Sequence, residues 1–246
     1  MLKRFFITCF LMLNSIQANA TIVQFQTVMG NFEVNLFDEV TPETADNFLA
    51  YLNADAYEGT IFHRSISDFV IQGGGFTLDE SFTLLNVPSF DAITNEALYS
   101  NVRGTIAMAK IGGDPDSATS QWYFNVVDNS ANLDYQDGGF TVFGQVIGDG
   151  MSVVDAINAL NTFTSSNYDD FPLRDYTAGD TLDETNFVII EHIVVLDGAS
   201  NTAEDLIPRE IVALESAGSD GGGGAMNILP LFGLIGLGFY SRRKRF

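Results

Sequence analysis

Apolar and polar residues alternate in short runs along most of residues 22–196, and the period lengthens to that of a helix in two places. Ile22–Thr27 and Phe32–Phe37 predict a hairpin around Met29-Gly30-Asn31, because Gly-Asn is a turn pair. Strand-like runs recur at Ile61–Ile66, Phe69–Gln72, Gly104–Ala109, Gln121–Val127, Thr141–Ile147 and Phe187–Leu196. The first helical stretch opens at Thr41-Pro42-Glu43-Thr44. There Thr41 can cap, Pro42 suits the first turn and Glu43 complements the helix dipole. Ala45, Phe48, Leu49 and Leu52 carry that helix to about Asn53. A second helix is predicted at Met151–Leu160, with Val154, Ile157 and Leu160 on one face, and a long loop at Asn161–Asn186. Many short strands with two helices predict a mainly β fold: a closed antiparallel barrel with helical caps.

Within this pattern Phe62–Gly75 stands apart. It reads as two strands about a Ser67-Asp68 turn and places one cation, Arg64, and one amide, Gln72, beside two apolar side chains, Phe69 and Val70. Gly73-Gly74-Gly75 ends the second strand where backbone freedom is needed. An arginine beside an apolar floor suits a pocket that binds something apolar and polarises it.

Composition raises the weight of that arginine. The chain has 246 residues, 46% of them hydrophobic, enough for one domain with a sizeable core plus appendages. Its formal charge is -21, and six of its 11 basic residues lie in the two end segments. Between those ends only Arg64, Arg103, Lys110, Arg174 and Arg209 face 32 acidic residues, and Arg174 and Arg209 sit in polar, loop-like stretches. So acidic a surface repels nucleic acid and anionic lipid, which argues against a nucleic-acid function. The single cysteine, Cys9, lies in the N-terminal segment, so the body of the chain is expected to hold no disulfide, no thiolate nucleophile and no cysteine metal site. With His63 and His192 its only histidines, no metal or other cofactor is expected.

Both ends read as addresses. Met1–Ala20 has a basic start, an apolar run from Phe5 to Leu13 and the small-residue ending Ala18-Asn19-Ala20, the pattern of a signal peptide cleaved after Ala20. Residues 21–198 form the folded domain and 199–220 an acidic, polar linker with a short helix expected at Ile207–Ser216. Residues 221–246 follow as four glycines, an apolar run and the cluster Arg242-Arg243-Lys244-Arg245. That order resembles the GlyGly-CTERM sorting signals of Gram-negative bacteria. It implies cleavage near the glycines by a rhomboid-type protease and surface attachment, with a permanent anchor as the alternative. The expected location is the periplasm or cell surface, with membrane contact only through this C-terminal segment.

Several segments together resemble the cyclophilins. Phe62-His63-Arg64 with Asp68-Phe69-Val70-Ile71-Gln72-Gly73-Gly74 is close to that family's signature. So are Arg103-Gly104-Thr105-Ile106-Ala107-Met108-Ala109, Ser117–Asn125, Asn132-Leu133-Asp134 and Val142-Phe143-Gly144-Gln145-Val146, in order over about residues 21–196. The resemblance implies an eight-stranded antiparallel closed barrel capped by two α-helices, and peptidyl-prolyl cis-trans isomerisation without cofactor or metal. By position, Arg64 and Gln72 are the implied catalytic pair. Phe69, Val70, Tyr123, Leu133 and Phe140 are the implied proline pocket, with Gln121 in the same site and Ala109 and Lys110 on the rim that binds residues before proline. Tyr123, Val70, Asn132, Phe140 and Lys110 depart from the family's usual residues, so weak cyclosporin binding is expected. Proline-containing polypeptides are the implied partners, and a monomer is expected. A surface-tethered proline-peptide binding module or chaperone without required turnover is the alternative.

Overall fold

The computed structural model describes residues 21–164, 169–198, 203 and 206–212. The expected leader Met1–Ala20, residues 221–246 and most of the expected linker lie outside the described residues.

The chain opens with β1 (Ile22–Thr27) and β2 (Gly30–Leu36), paired antiparallel from Ile22↔Asn35 to Thr27↔Gly30. The turn is therefore Val28-Met29, two residues before the Gly-Asn pair. Thr27 fixes it, its hydroxyl donating to the Gly30 carbonyl and accepting from the Met29 N–H. Helix α1 (Pro42–Asn53) follows as expected, burying Ala45, Phe48 and Tyr51 on one face. Its capping differs from expectation. Thr41 makes no cap, and instead the Glu96 carboxylate accepts from the N–H groups of Glu43 and Thr44 and from the Thr44 hydroxyl. An anion at the positive end of the helix dipole does the work of a local cap.

The run Ile61–Ile66 is divided into β3 (Thr60–Ile61) and β4 (Arg64–Ile66), and Asp68 at φ 54° turns the chain into β5 (Val70–Gly73). A hairpin of β6 (Phe76–Leu78) and β7 (Leu84–Asn86) follows, in a stretch where alternation predicted none. Then come β8 (Thr105–Met108), β9 (Trp122–Asn125), the one-turn helix α2 (Ser130–Leu133), β10 (Val142–Ile147) and helix α3 (Met151–Asn158). The expected long loop contains β11 (Asn161–Phe163) paired with β12 (Phe171–Leu173), and β13 (Ile189–Asp197) ends the domain's strands. Strands β6, β7, β11 and β12 were not legible because each is only three residues long, too short to show a period.

The main sheet is antiparallel and curled, with strand order β3-β13-β1-β2-β10-β8-β9-β5-β4. Nine strands are distinguished where a closed ring of eight was expected, and the two end strands of the order, β3 and β4, lie on one continuous run of the chain. The reason lies at Phe62-His63. The Phe62 N–H donates to the Val188 carbonyl at 3.0 Å, whereas the His63 N–H donates to the Gln72 carbonyl at 3.0 Å. Consecutive residues thus serve opposite edges of the sheet, and one predicted strand becomes the two terminal ones.

Side-chain alternation sorts residues between two apolar clusters. The inner one holds Phe25, Phe32, Ile71, Ile106, Trp122 and Phe124, with Phe48 from α1 and Val154 and Ile157 from α3. Phe25 stacks on Phe32 with centroids 4.9 Å apart and meets Trp122 edge-on at 5.2 Å. On the other face, Val70, Ala107, Tyr123 and Val142 join Leu133 and Phe140. Trp122 thus lies in the inner core and Tyr123 in the second cluster.

Candidate active site

One line of register builds the site. Arg64 pairs with Gln72, Gln72 with Tyr123, Tyr123 with Ala107, and Ala107 with Val142. Directly paired residues of antiparallel strands present side chains on the same face. A cation, an amide and an apolar floor therefore follow one another across five strands.

The Arg64 side chain is 22% exposed. Among the described residues its nearest carboxylate is Asp170, 4.0 Å from Nε, and Nε is buried without a hydrogen-bond partner. The Asp170 carbonyl is fixed against β4 by the Ser65 N–H at 2.8 Å. Gln72 gives its Nε2 to Gln121 Oε1 at 2.7 Å, and its own Oε1 is buried without a partner among the described residues. Buried polar atoms are nearly always paired. Here one donor and one acceptor on directly opposed residues lack a hydrogen-bond partner among the described residues.

His63 lies beside this pair, edge-on to Phe76 at 4.8 Å. Burial lowers its pKa to about 3, and the adjacent Arg64 charge acts in the same direction. A neutral imidazole suits a structural position better than a proton carrier.

The apolar walls come from separate places in the chain. Phe69 is half-buried at the β4–β5 turn, its carbonyl held by Asn129 Nδ2 at 2.9 Å and the Val126 N–H at 3.1 Å. Val70 and Tyr123 are fully buried, Leu133 and Phe140 nearly so. The Tyr123 hydroxyl donates to Asn101 Oδ1 at 2.8 Å, and burial, reinforced by the charge of Asp134, pushes its pKa well above the usual phenol value. The hydroxyl that this residue adds to the wall is thus tied beneath the floor. Ala109 lies at the edge of the same cluster, its N–H donating to the Gln121 carbonyl.

Lys110 differs from a free cation on a rim. It is 5% exposed. Its ammonium donates to the carbonyls of Asp137 at 2.8 Å and Gly139 at 2.6 Å, and lies 4.8 Å from the Phe140 ring centroid. Burial lowers its pKa, opposed by Asp137, Asp116 and Asp114. Its role is to fold the 137–140 loop onto the site, and alternation along β8 could not have revealed that because the partners are backbone carbonyls.

The sequence reading also missed Asn101 and Asp134 as supports. Asn101 is fully buried, with its side chain bonded to Tyr123, Asp134 and the Phe140 carbonyl. Among the described residues, no three His, Cys, Asp or Glu side chains gather as a metal cage.

Residues 22–177 match the family model of the cyclophilin type peptidyl-prolyl cis-trans isomerases. A peptidyl-prolyl cis-trans isomerase of Acinetobacter baylyi is 43% identical over 176 residues, covering 70% of this chain and 90% of the relative. Peptidyl-prolyl cis-trans isomerase B of Escherichia coli is 41% identical over 160 residues, covering 63% of this chain and 94% of the relative. Among solved structures, a cyclophilin type isomerase of Cryptosporidium parvum aligns with a TM-score of 0.53 at 24% identity, over 72% of this chain and 98% of that one. A second structure of it, in the presence of the dipeptide Ala-Pro, aligns at 0.52 and 23% identity, over 72% and 99%.

Proposed function

This chain belongs to the cyclophilin-type peptidyl-prolyl cis-trans isomerases, and from that membership we propose that Arg64 stabilises the twisted imide while the apolar walls hold the proline ring. The activity itself is peptidyl-prolyl cis-trans isomerisation. Peptide C–N bonds resist rotation because resonance gives them double-bond character, with a barrier of about 18–20 kcal/mol. Uncatalysed X–Pro isomerisation therefore takes tens to hundreds of seconds. An acceleration on the order of 10⁵-fold needs about 7 kcal/mol of preference for the transition state over the planar substrate.

Twisting removes the resonance, and the proline nitrogen regains its lone pair and becomes pyramidal. A guanidinium donating a hydrogen bond to that nitrogen favours the twisted form alone. Its charge is permanent in any working range of pH, so no proton changes hands. Gln72, with Nε2 committed to Gln121, presents Oε1 to a substrate backbone N–H. The observation that carries this reading is the rung Arg64–Gln72–Tyr123 with its two unpartnered buried atoms. The proline ring rests on Phe69, Val70, Tyr123, Leu133 and Phe140. The dipeptide Ala-Pro was present with the Cryptosporidium parvum protein.

The clients in this reading are exported proteins, met in the periplasm or at the cell surface. The leader and the glycine–apolar–basic terminus support that location. Purified protein should accelerate cis-to-trans conversion of a proline peptide, and absence of acceleration sinks the mechanism. Complementation of a deletion strain by an Arg64→Ala chain would show that folding of clients does not depend on turnover.

A further inference from the structure

We propose that Leu206–Val212 is a strap belonging to the catalytic unit, and that its Arg209 is a positioning residue for the proline-binding walls. The segment lies beyond the family match, which ends at residue 177, and sequence reading placed it in a linker. A helix was expected over Ile207–Ser216, but Ile207–Val212 is not helical, and residues 213–216 lie outside the described residues. The strap runs beside Leu98–Ser100 instead. The Ser100 N–H donates to the Arg209 carbonyl at 2.7 Å, and the Ile211 N–H to the Leu98 carbonyl at 2.9 Å. Tyr99 and Glu210 form a bridge between these hydrogen bonds, and Leu206 packs against the same apolar cluster as the walls.

The Arg209 guanidinium has two partners. It grips both Asp128 carboxylate oxygens at 3.0 Å and donates to the Ser100 hydroxyl oxygen at 3.0 and 3.2 Å. Ser100 in turn donates its proton to Asp134 Oδ2. The other carboxylate oxygen of Asp134 accepts from the Asn101 N–H at 2.7 Å and from its side-chain amide at 3.1 Å. Asn101 holds the two walls: its Oδ1 accepts from the Tyr123 hydroxyl, and its Nδ2 donates to the Phe140 carbonyl at 3.1 Å. Ser100, Asn101 and Asp134 are each 6% exposed or less.

A buried carboxylate held by neutral donors is costly unless its network is fully satisfied. Arg209 brings a fixed cationic fork to the solvent side of that network and polarises the serine that serves it. Without the fork, Ser100 can turn from Asp134, and Asn101 loses the anchor that sets both walls.

The inference rests on these walls being the proline site of the isomerase. The test uses the full-length chain and separates kcat from KM on a proline peptide. Walls bind planar and twisted substrate alike, so their misplacement raises KM and leaves kcat alone. In Arg209→Ala, KM should rise about fivefold, the equivalent of one lost hydrogen bond, with kcat within about twofold. Arg209→Lys keeps the charge opposite Asp128 but lacks the fork, and should recover less than half of the loss. Asp128→Ala should raise KM by a smaller factor. An unchanged KM in Arg209→Ala overturns the proposal, as does a fall in kcat alone that tracks the folded fraction measured by circular dichroism. If Arg209→Ala does not fold, Asp128→Ala and Arg209→Lys decide by the same KM criterion. A wild-type chain without turnover refutes the isomerase mechanism separately. Calorimetric affinity for the proline peptide then replaces KM, with the same fivefold loss expected.

Discussion

Arg64 and Gln72 stand directly opposite each other across the β4–β5 ladder, and each keeps one buried polar atom unpaired, Nε of the arginine and Oε1 of the glutamine. A donor and an acceptor are thus held side by side on rigid backbone. In the proposed mechanism this arrangement addresses a peptide whose nitrogen becomes an acceptor only when twisted and whose flanking N–H is always a donor.

Arg64→Ala removes the donor and leaves the floor. The rate constant kcat should fall by about 10²–10³-fold, the usual loss for one preorganised transition-state donor. Affinity for a proline peptide, read by calorimetry, should stay within a few-fold. Equal losses in affinity and rate would instead make Arg64 a ground-state binding group.

Tyr123→Phe should spare kcat, raise KM as one wall loses its anchor on Asn101, and weaken the fold. Its hydroxyl is spent on Asn101 Oδ1, whose other donor contact in the core is Asn125 Nδ2 at 3.3 Å. Denaturant unfolding should show a loss of about 1–2 kcal/mol, the cost of leaving a buried acceptor underpaired, with kcat within about twofold.

Gly73→Ala tests packing. The first and third of the three glycines are needed because Trp122 and Gln121 lie against them more than for backbone freedom. A Cβ on Gly73 would sit 2.7 Å from Trp122 Cη2, and one on Gly75 2.7 Å from Gln121 Cδ. Only Gly74, at φ +75°, also needs the left-handed region. Gly73→Ala should cost about 1–3 kcal/mol by overpacking, seen as a lower denaturation midpoint at an unchanged slope.

His63 makes stability depend on pH. Its folded pKa of about 3 lies below the ordinary value of 6.5. Between those values the unfolded chain binds a proton that the folded chain refuses, so stability rises with pH across this window. It should fall as pH drops below about 6.5, by at most about 1.4 kcal/mol per unit from this group, and be insensitive to it above pH 7. Asp128, held down to about 2 by its bond to Arg209, adds a loss in the same direction at lower pH. Urea melts at pH 4.5, 5.5 and 7.5 check this, and His63→Gln should flatten the upper part of the curve.

Much of this molecule was legible beforehand because local signals agreed. Alternation located eight runs that carry the nine main-sheet strands, and the spacing of Ala45, Phe48, Val154 and Ile157 located the two longer helices. Arg64, Gln72 and Phe69 stood out as candidate site residues because a lone arginine and amide beside aromatic residues have little use in a solvated strand. Asn101, Asp134 and Arg209 were not. They are polar residues in irregular stretches, and their contacts join positions 22 to 109 residues apart.

By itself, then, the sequence determined most of the main-sheet strands, the two longer helices and the residue types of one rung, because alternation and helical spacing are properties of neighbouring residues. Tertiary structure alone decided that Phe62-His63 splits a strand between two sheet edges and that Glu96 caps α1. It also decided that Lys110 folds inward onto carbonyls and that Leu206–Val212 returns to pair with Leu98–Ser100. Each of these depends on a hydrogen bond between distant segments, whose partners are chosen only once the sheet has curled and brought them within about 3 Å.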